Sequence, residues 1–269
     1  MDPRTFDKFR SIVYEKSGIA ISRNKVALVM ARVGKRMREL SISNPKDYLA
    51  VVLADEGGEE IVHLLDSIAT NVTSFFREND HFGLLAGLLR ERLAAGQTRL
   101  RLWSAAASSG EEPYSIAMTA LDVLDGKKTD VKILATDIST RILDKCAKGE
   151  YTEKHVASVP PNYRTRFFSR IGSGDKARYE VTGQLKKMIS FSRINLSETP
   201  FPMKGPFDVI FLRNVMIYFD NAVRKRLLEE CFRLLGADGH LFVGHAETLT
   251  GLIGEFRPVA PSVYVKKQL

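Results

Sequence analysis

The segment RLRLWSAAASSGEEPYSIAM, residues 99–118, does most to limit what this chain can fold into. An apolar strand runs into a stretch of small residues and then into a helix that opens on the paired acids Glu111 and Glu112. Small residues at a strand-to-helix turn let backbone approach a ligand closely, and Gly110 can adopt dihedral angles barred to other residues. Such turns form nucleotide sites at the carboxyl edge of parallel sheets. The two acids narrow the ligand. A diphosphate would be repelled beside them, whereas a cation carrying a ribose and an amino group, such as S-adenosylmethionine, would be favoured.

The pattern on either side agrees with a parallel sheet. Apolar runs predict strands at 100–105, 131–136, 188–195, 207–213 and 240–244, with a last one near 263–266, and helical spacing predicts helices at 80–95, 111–124, 139–148 and 222–235. This alternation reads as an α/β, doubly wound, Rossmann-like domain. Residues 163–190 interrupt it with two glycine-containing turns between short alternating stretches, a small antiparallel β insert. Ahead of the sheet, residues 1–70 read as a small all-α domain. Phe6, Phe9, Ile12 and Val13 mark a helix ended by Gly18, and Val26, Val29, Val33, Met37 and Leu40 stripe the next. Asn44-Pro45 opens a third, and Gly57-Gly58 separates it from a fourth through Ile61, Leu64, Leu65 and Ile68. Residues 71–95 form a connector and helix, and 96–269 the sheet domain.

Composition excludes several classes. No apolar run approaches the roughly 20 residues that span a bilayer, and the N-terminus MDPRTFDKFR lacks the apolar core of a secretion signal, so a cytoplasmic protein without membrane insertion is expected. Cys146 and Cys231 stand far apart in helical patterns and read as packing residues. The five histidines show no metal-ligand spacing, and no metal is expected. The net charge of +8 suggests an acidic partner, and part of it gathers between Arg23 and Lys46, where Lys25, Arg32 and Arg36 share one helical face.

Two further features carry chemistry. The second strand ends in Asp137, where an acid can accept hydrogen bonds from both hydroxyls of a ribose, although a helix cap is an equally natural reading. The dinucleotide fingerprint G-x-G-x-x-G is missing, which disfavours an NAD enzyme. In FDVIFLRNVMIYFD, residues 207–220, an apolar strand runs into Arg213 and Asn214, so Asn214 and Tyr218 are candidates for the reaction centre or, alternatively, a cap and a packing residue.

With these segments in hand, the chain resembles the CheR-type family, the chemoreceptor glutamate methyltransferases of bacterial chemotaxis. NVTSFFRE (71–78), WSAAASSGEEPYSIAM (103–118), ATDIS (135–139), FDVIFLRNVMIYFD (207–220) and LFVGHAET (241–248) carry the resemblance, in the family's order. It implies transfer of a methyl group from S-adenosylmethionine to glutamates on the cytoplasmic helices of chemotaxis receptors. It further implies that Asn71, Thr73 and Arg77, in a connector acting as a lid, close over the amino-acid end of the cofactor. Glu111 would take the amino group in preference to Glu112. Asp137 would hold the ribose, Asn195 and Leu196 would frame the adenine, and Arg213 and Asn214 would complete the wall. Tyr218 would lie near the transferred methyl as the catalytic residue. Lys25, Arg32 and Arg36 would contact the receptor, and the insert could take a receptor's C-terminal tether peptide as an added strand. A nucleic-acid methyltransferase and a non-catalytic cofactor-binding regulator are the alternatives. The first lacks an N/D-P-P-Y/F-like signature, and the polar set Arg77, Glu111, Asp137, Asn214 and Tyr218 speaks against the second.

Overall fold

The structure is a computed structural model that describes residues 1–68, 72–174 and 177–267. Asn71, the first of the expected cofactor residues, therefore lies outside the described residues. The chain divides into two compact units, one of residues 1–71 with 217–224 and one of 72–216 with 225–269.

The first unit holds α1 (Pro3–Ser17), α2 (Val26–Glu39), α3 (Pro45–Ala54) and α4 (Glu59–Ile68). Local chemistry sets their ends. Asp2 accepts a hydrogen bond from the Thr5 amide and Asn44 from that of Lys46, each followed by a proline in the first turn. Gly18 ends α1 in the left-handed conformation, at φ 70°. Phe9, Val13, Val33 and Leu64 are fully buried, and this apolar packing stabilises short helices that would be marginal alone. Tyr48 is buried as well, because its hydroxyl finds Glu60 Oε1 at 2.8 Å. The returning segment adds a short 3₁₀ turn ending at Tyr218, whose carbonyl accepts from the Ala20 amide at 2.8 Å.

The second unit is built on a seven-stranded sheet. Its strands are β1 (Arg99–Ser104), β2 (Asp130–Asp137), β6 (Ile189–Arg193), β7 (Phe207–Leu212), β8 (Leu235–Val243), β9 (Phe256–Ala260) and β10 (Val263–Lys266), in the order β6-β2-β1-β7-β8-β10-β9. The first five run parallel, while β10 is antiparallel to β8 and β9 to β10. Parallel strands buried on both faces need continuous apolar sequence, which Leu212 and its neighbours Val209, Ile210 and Phe211 supply at full burial. The helices are α5 (Asp80–Ala94), α6 (Glu111–Leu124), α7 (Thr140–Lys148) and α11 (Asn221–Leu234). Successive strands step outward from β1 through β2 to β6, then outward again from β7 to β8. The order thus reverses between β1 and β7, and the ligand crevice of such a sheet opens at that point, beyond the carboxyl ends of the strands.

Three elements differ from the sequence expectation. Strand β8 begins at Leu235 because α11 passes straight into it, so Gly236 to Gly239 are strand where a loop was expected. Strand β9 was not expected; it is an outer strand bearing Pro258, with an exposed run that gives no alternation. The insert starts earlier than residue 163. It comprises β3 (Glu150–Tyr151), α8 (Glu153–Val156), α9 (Pro161–Phe167), β4 (Phe168–Ile171), β5 (Arg178–Val181) and α10 (Gly183–Lys186), its strands antiparallel in the order β3-β5-β4. Among the described residues no helix is long and apolar enough to cross a membrane.

Candidate functional site

Beyond the carboxyl end of β1, Ala105 to Gly110 form the turn that opens α6. Gly110 has φ 98°, and a Cβ there would stand 2.7 Å from the Tyr151 hydroxyl and 3.3 Å from Cys146, so the turn admits only glycine. Cys146 is a buried free thiol, and burial raises its pKa; it packs against this turn, with its sulfur 2.9 Å from the Ser108 carbonyl. Cys231 is likewise free and buried.

Asp137 ends β2 and reaches across to the same turn. Its Oδ2 accepts from the Ser108 amide at 2.9 Å and its Oδ1 from the Ser139 amide at 3.1 Å. Cap and loop brace are therefore one role of this carboxylate.

The two acids of α6 are differently employed. Glu111 is buried with its Oε2 accepting from the Ser109 hydroxyl at 2.6 Å, and its Oε1 takes no hydrogen bond from a described residue. Glu112 is spent on structure. It accepts from Ser104 Oγ at 2.7 Å and from Arg213 Nη1 at 2.9 Å, while burial pushes its carboxyl up against that pull. The open carboxylate oxygen at this turn thus belongs to Glu111, the acid preferred for an amino group.

Arg213 was expected in the pocket wall, but its side chain is only 1% exposed and acts as a brace behind it. Its other nitrogen, Nη2, reaches Glu78 Oε2 at 2.9 Å and also donates to the Arg77 carbonyl. Burial opposes ionisation of Glu78, yet hydrogen bonds from Arg213 and Asn214 outweigh it and hold the carboxyl below its ordinary range. The connector is anchored here rather than free: Phe75 and Phe76 are buried, and Phe75 packs edge-on against Tyr151 and Phe168. Arg77 donates to the Val72 carbonyl at 2.8 Å, and Thr73 is half-buried. Asn195 shapes a turn: its Oδ1 accepts from the amide and hydroxyl of Ser197 and its Nδ2 donates to Glu198, beside the buried Leu196.

Sequence reasoning missed Glu78 and Glu247. The latter's Oε2 accepts from the Asn214 amide at 2.7 Å. Both lie inside the motifs that carry the family resemblance, which was the available signal. Arg92, the arginine nearest the first strand, joins Asp208 Oδ1 at 3.0 Å near the amino end of β7, at the far end of the strand from Asn214. Glu78, His81 and His245 bring ligand atoms within 4.8 Å of one another. They carry no metal assignment, since Glu78 is already engaged by the Arg213 cation.

In the helical unit the expected basic face is only partly open. Lys25 is exposed in the 3₁₀ turn before α2, and Arg32 donates to the Ile68 carbonyl. Arg36 has an internal partner. Its Nη2 and Nε bind Glu60 at 2.7 and 3.0 Å, so its charge is matched inside the unit.

The residues at the turn fit S-adenosylmethionine: a glycine where a Cβ would collide, an open carboxylate oxygen on Glu111, and an acid at the end of β2. A family model described as "CheR methyltransferase, SAM binding domain" matches residues 71–265, and one described as "CheR methyltransferase, all-alpha domain" matches residues 4–69. Chemotaxis protein methyltransferase 2 of Pseudomonas aeruginosa is 38% identical over 260 residues, covering 96% of this chain and 91% of its own. The chemotaxis protein methyltransferase of Salmonella typhimurium is 36% identical over 259 residues, covering 96% and 88%. Among solved structures, a TehB-like SAM-dependent methyltransferase from Corynebacterium glutamicum superposes with a TM-score of 0.38 at 16% identity, over 71% of this chain and 96% of that one. With both family models matched in order and relatives aligned along nearly its whole length, the chain belongs to the CheR family of S-adenosylmethionine-dependent methyltransferases.

Proposed function

We propose that this methyltransferase esterifies the γ-carboxylates of specific glutamates on the cytoplasmic helices of chemotaxis receptors, producing methyl esters for sensory adaptation. The observation that carries the reading is the pairing of Glu111 and Asp137 around one glycine turn, in a chain whose relatives are named for chemotaxis. The nucleic-acid and regulator alternatives draw no support from those relatives.

Bound S-adenosylmethionine supplies an electrophilic methyl group on a sulfonium. Glu111 would hold its ammonium group and Asp137 its ribose hydroxyls, with Asn195 and Leu196 at the adenine and Asn71, Thr73 and Arg77 at the amino-acid end. Arg213 would act through Glu78 and Glu112, and Asn214 would form the wall. A glutamate has an ordinary pKa of about 4.3, so the attacking carboxylate is ionised at neutral pH and needs no general base. What the protein must provide is alignment and partial removal of water. Tyr218, a neutral donor, would orient the carboxylate without binding its electrons as tightly as an arginine would.

Lys25 and Arg32, with Arg36 ordering the helix through Glu60, would steer an acidic receptor helix. The outer strand β4, exposed from Ser169 to Ile171, would suit an added tether strand. The site of action would be the cytoplasm. Incubation with methyl-labelled S-adenosylmethionine and a receptor cytoplasmic fragment, followed by mild base, tests the reading. Release of label as volatile methanol is expected; label retained after base, or transfer to nucleic acid instead, would overturn it.

A further inference from the structure

Asn214 follows β7 at the point where the strand order reverses, and it holds φ 56°. Side-chain-bearing residues are uncommon in this left-handed region; asparagine enters it more readily than most, and neighbours that engage its polar groups hold it there. Two carboxylates do so. Glu247, 8% exposed, accepts at a single oxygen, Oε2, from the amides of Asn214 at 2.7 Å and Gly244 at 2.8 Å. Its own amide donates back to the Gly244 carbonyl at 2.9 Å, closing a tight turn after β8. Glu78 Oε1 takes the other end of Asn214, accepting from Nδ2 at 3.1 Å.

The turn after β8 packs closely against Asn214. A Cβ on Gly244 would stand 2.3 Å from Asn214 Nδ2 and 2.9 Å from Glu247 Oε2. Glycine at 244 is therefore what lets the turn after β8 lie against Asn214. Because Glu78 is a carboxylate and can only accept, the Asn214 amide must point its NH₂ group there. Its Oδ1, which accepts from no described residue, is the end left for a ligand.

We infer that Glu247 is a positioning residue for the cofactor site: it fixes the backbone of Asn214 in its left-handed turn, so that Asn214 meets a hydrogen-bond donor of the cofactor with Oδ1. The inference rests on the proposed reading that Asn214 faces S-adenosylmethionine, and it adds Glu247 to the residues that shape the site. Glu247 acts through Asn214 and touches no reacting atom.

The test is titration of the full chain with S-adenosylhomocysteine by calorimetry, with Trp103 fluorescence checking that each variant is folded. Glu247→Ala removes both acceptor contacts, and a loss of affinity of at least tenfold is expected. Glu247→Gln keeps a carbonyl oxygen that can receive both amides, and binding within about threefold of wild type is expected. If the alanine variant does not fold, Glu247→Asp replaces it, since it withdraws the carboxylate by one methylene. The discriminating background is Asn214→Gly, because glycine enters the left-handed region without help. Asn214→Gly alone should weaken binding by loss of the amide. Adding Glu247→Ala to it should then cost less than threefold. A full tenfold penalty in the glycine background would overturn the positioning role, as would wild-type affinity of Glu247→Ala. Wild-type affinity of Asn214→Gly alone would instead refute the reading that Asn214 faces the cofactor, and the inference with it.

Discussion

Replacing Arg213 by methionine removes the cation on which three parts of the α/β unit converge. The guanidinium is 1% exposed and sits 2.9 Å from both Glu78 and Glu112, which are themselves 14% and 13% exposed. With an effective dielectric constant of about 20 and charges about 4 Å apart, each pair supplies about 4 kcal/mol of attraction, much of it offset by the cost of burying the ions. Methionine fills the aliphatic volume but leaves two carboxylates facing each other without a counter-ion. Loss of one partner from a buried pair costs about 3–5 kcal/mol, and that is the destabilisation expected for Arg213→Met. Pairing it with Glu112→Gln removes one stranded charge and should recover at least about 1 kcal/mol. Urea unfolding followed by tryptophan fluorescence reads this directly, because Trp103 is the only tryptophan, lies in β1 and is fully buried. A loss below 1 kcal/mol, or no recovery in the double variant, would refute the view of Arg213 as a buried brace.

Two other outcomes follow from groups in the same unit. Burial depresses the His81 pKa from 6.5 to about 4, so the folded state binds this proton less tightly than the unfolded chain does. Its contribution is complete above pH 6.5 and is lost as pH falls towards 4, which amounts to about 2 kcal/mol between pH 7.5 and 5. His81→Phe, packing against Phe242, should remove that part of the pH slope in urea unfolding; an unchanged slope would contradict it. Gly110→Ala forces a Cβ against Tyr151 at φ 98° and should lower S-adenosylhomocysteine affinity at least tenfold, whereas unchanged affinity would mean that the turn does not shape the site.

Much of the fold was legible because its signals are local. Alternating strands and helices, the proline and glycine punctuation of the N-terminal helices and the strand-to-helix turn at Gly110 are all written within short windows of sequence. The expected 111–124 helix coincides with α6 at both ends, where Gly110 and Asp125 adopt left-handed conformations. Strand β9 was hidden because an outer strand with Pro258 need not alternate, and the start of β8 because Gly236, Asp238 and Gly239 read as a loop between helix and strand. The short helices of the insert carry too few turns for a period to appear. At the site, types of residue were legible but partnerships were not. The lysine and arginines of the basic helix look equivalent by spacing, and only the fold brings Glu60 to Arg36. Glu112 resembles Glu111 in sequence, and what separates them is Arg213, 101 positions away.

The central claim is that Glu111 and Asp137 together form the seat of S-adenosylmethionine. Calorimetric titration with S-adenosylhomocysteine of wild type, Glu111→Gln and Asp137→Asn tests it most directly. Each variant should stay folded by Trp103 fluorescence and lose affinity by about tenfold to a hundredfold, in line with a charged hydrogen bond of about 1.5–3 kcal/mol. Wild-type affinity in both folded variants would contradict the account.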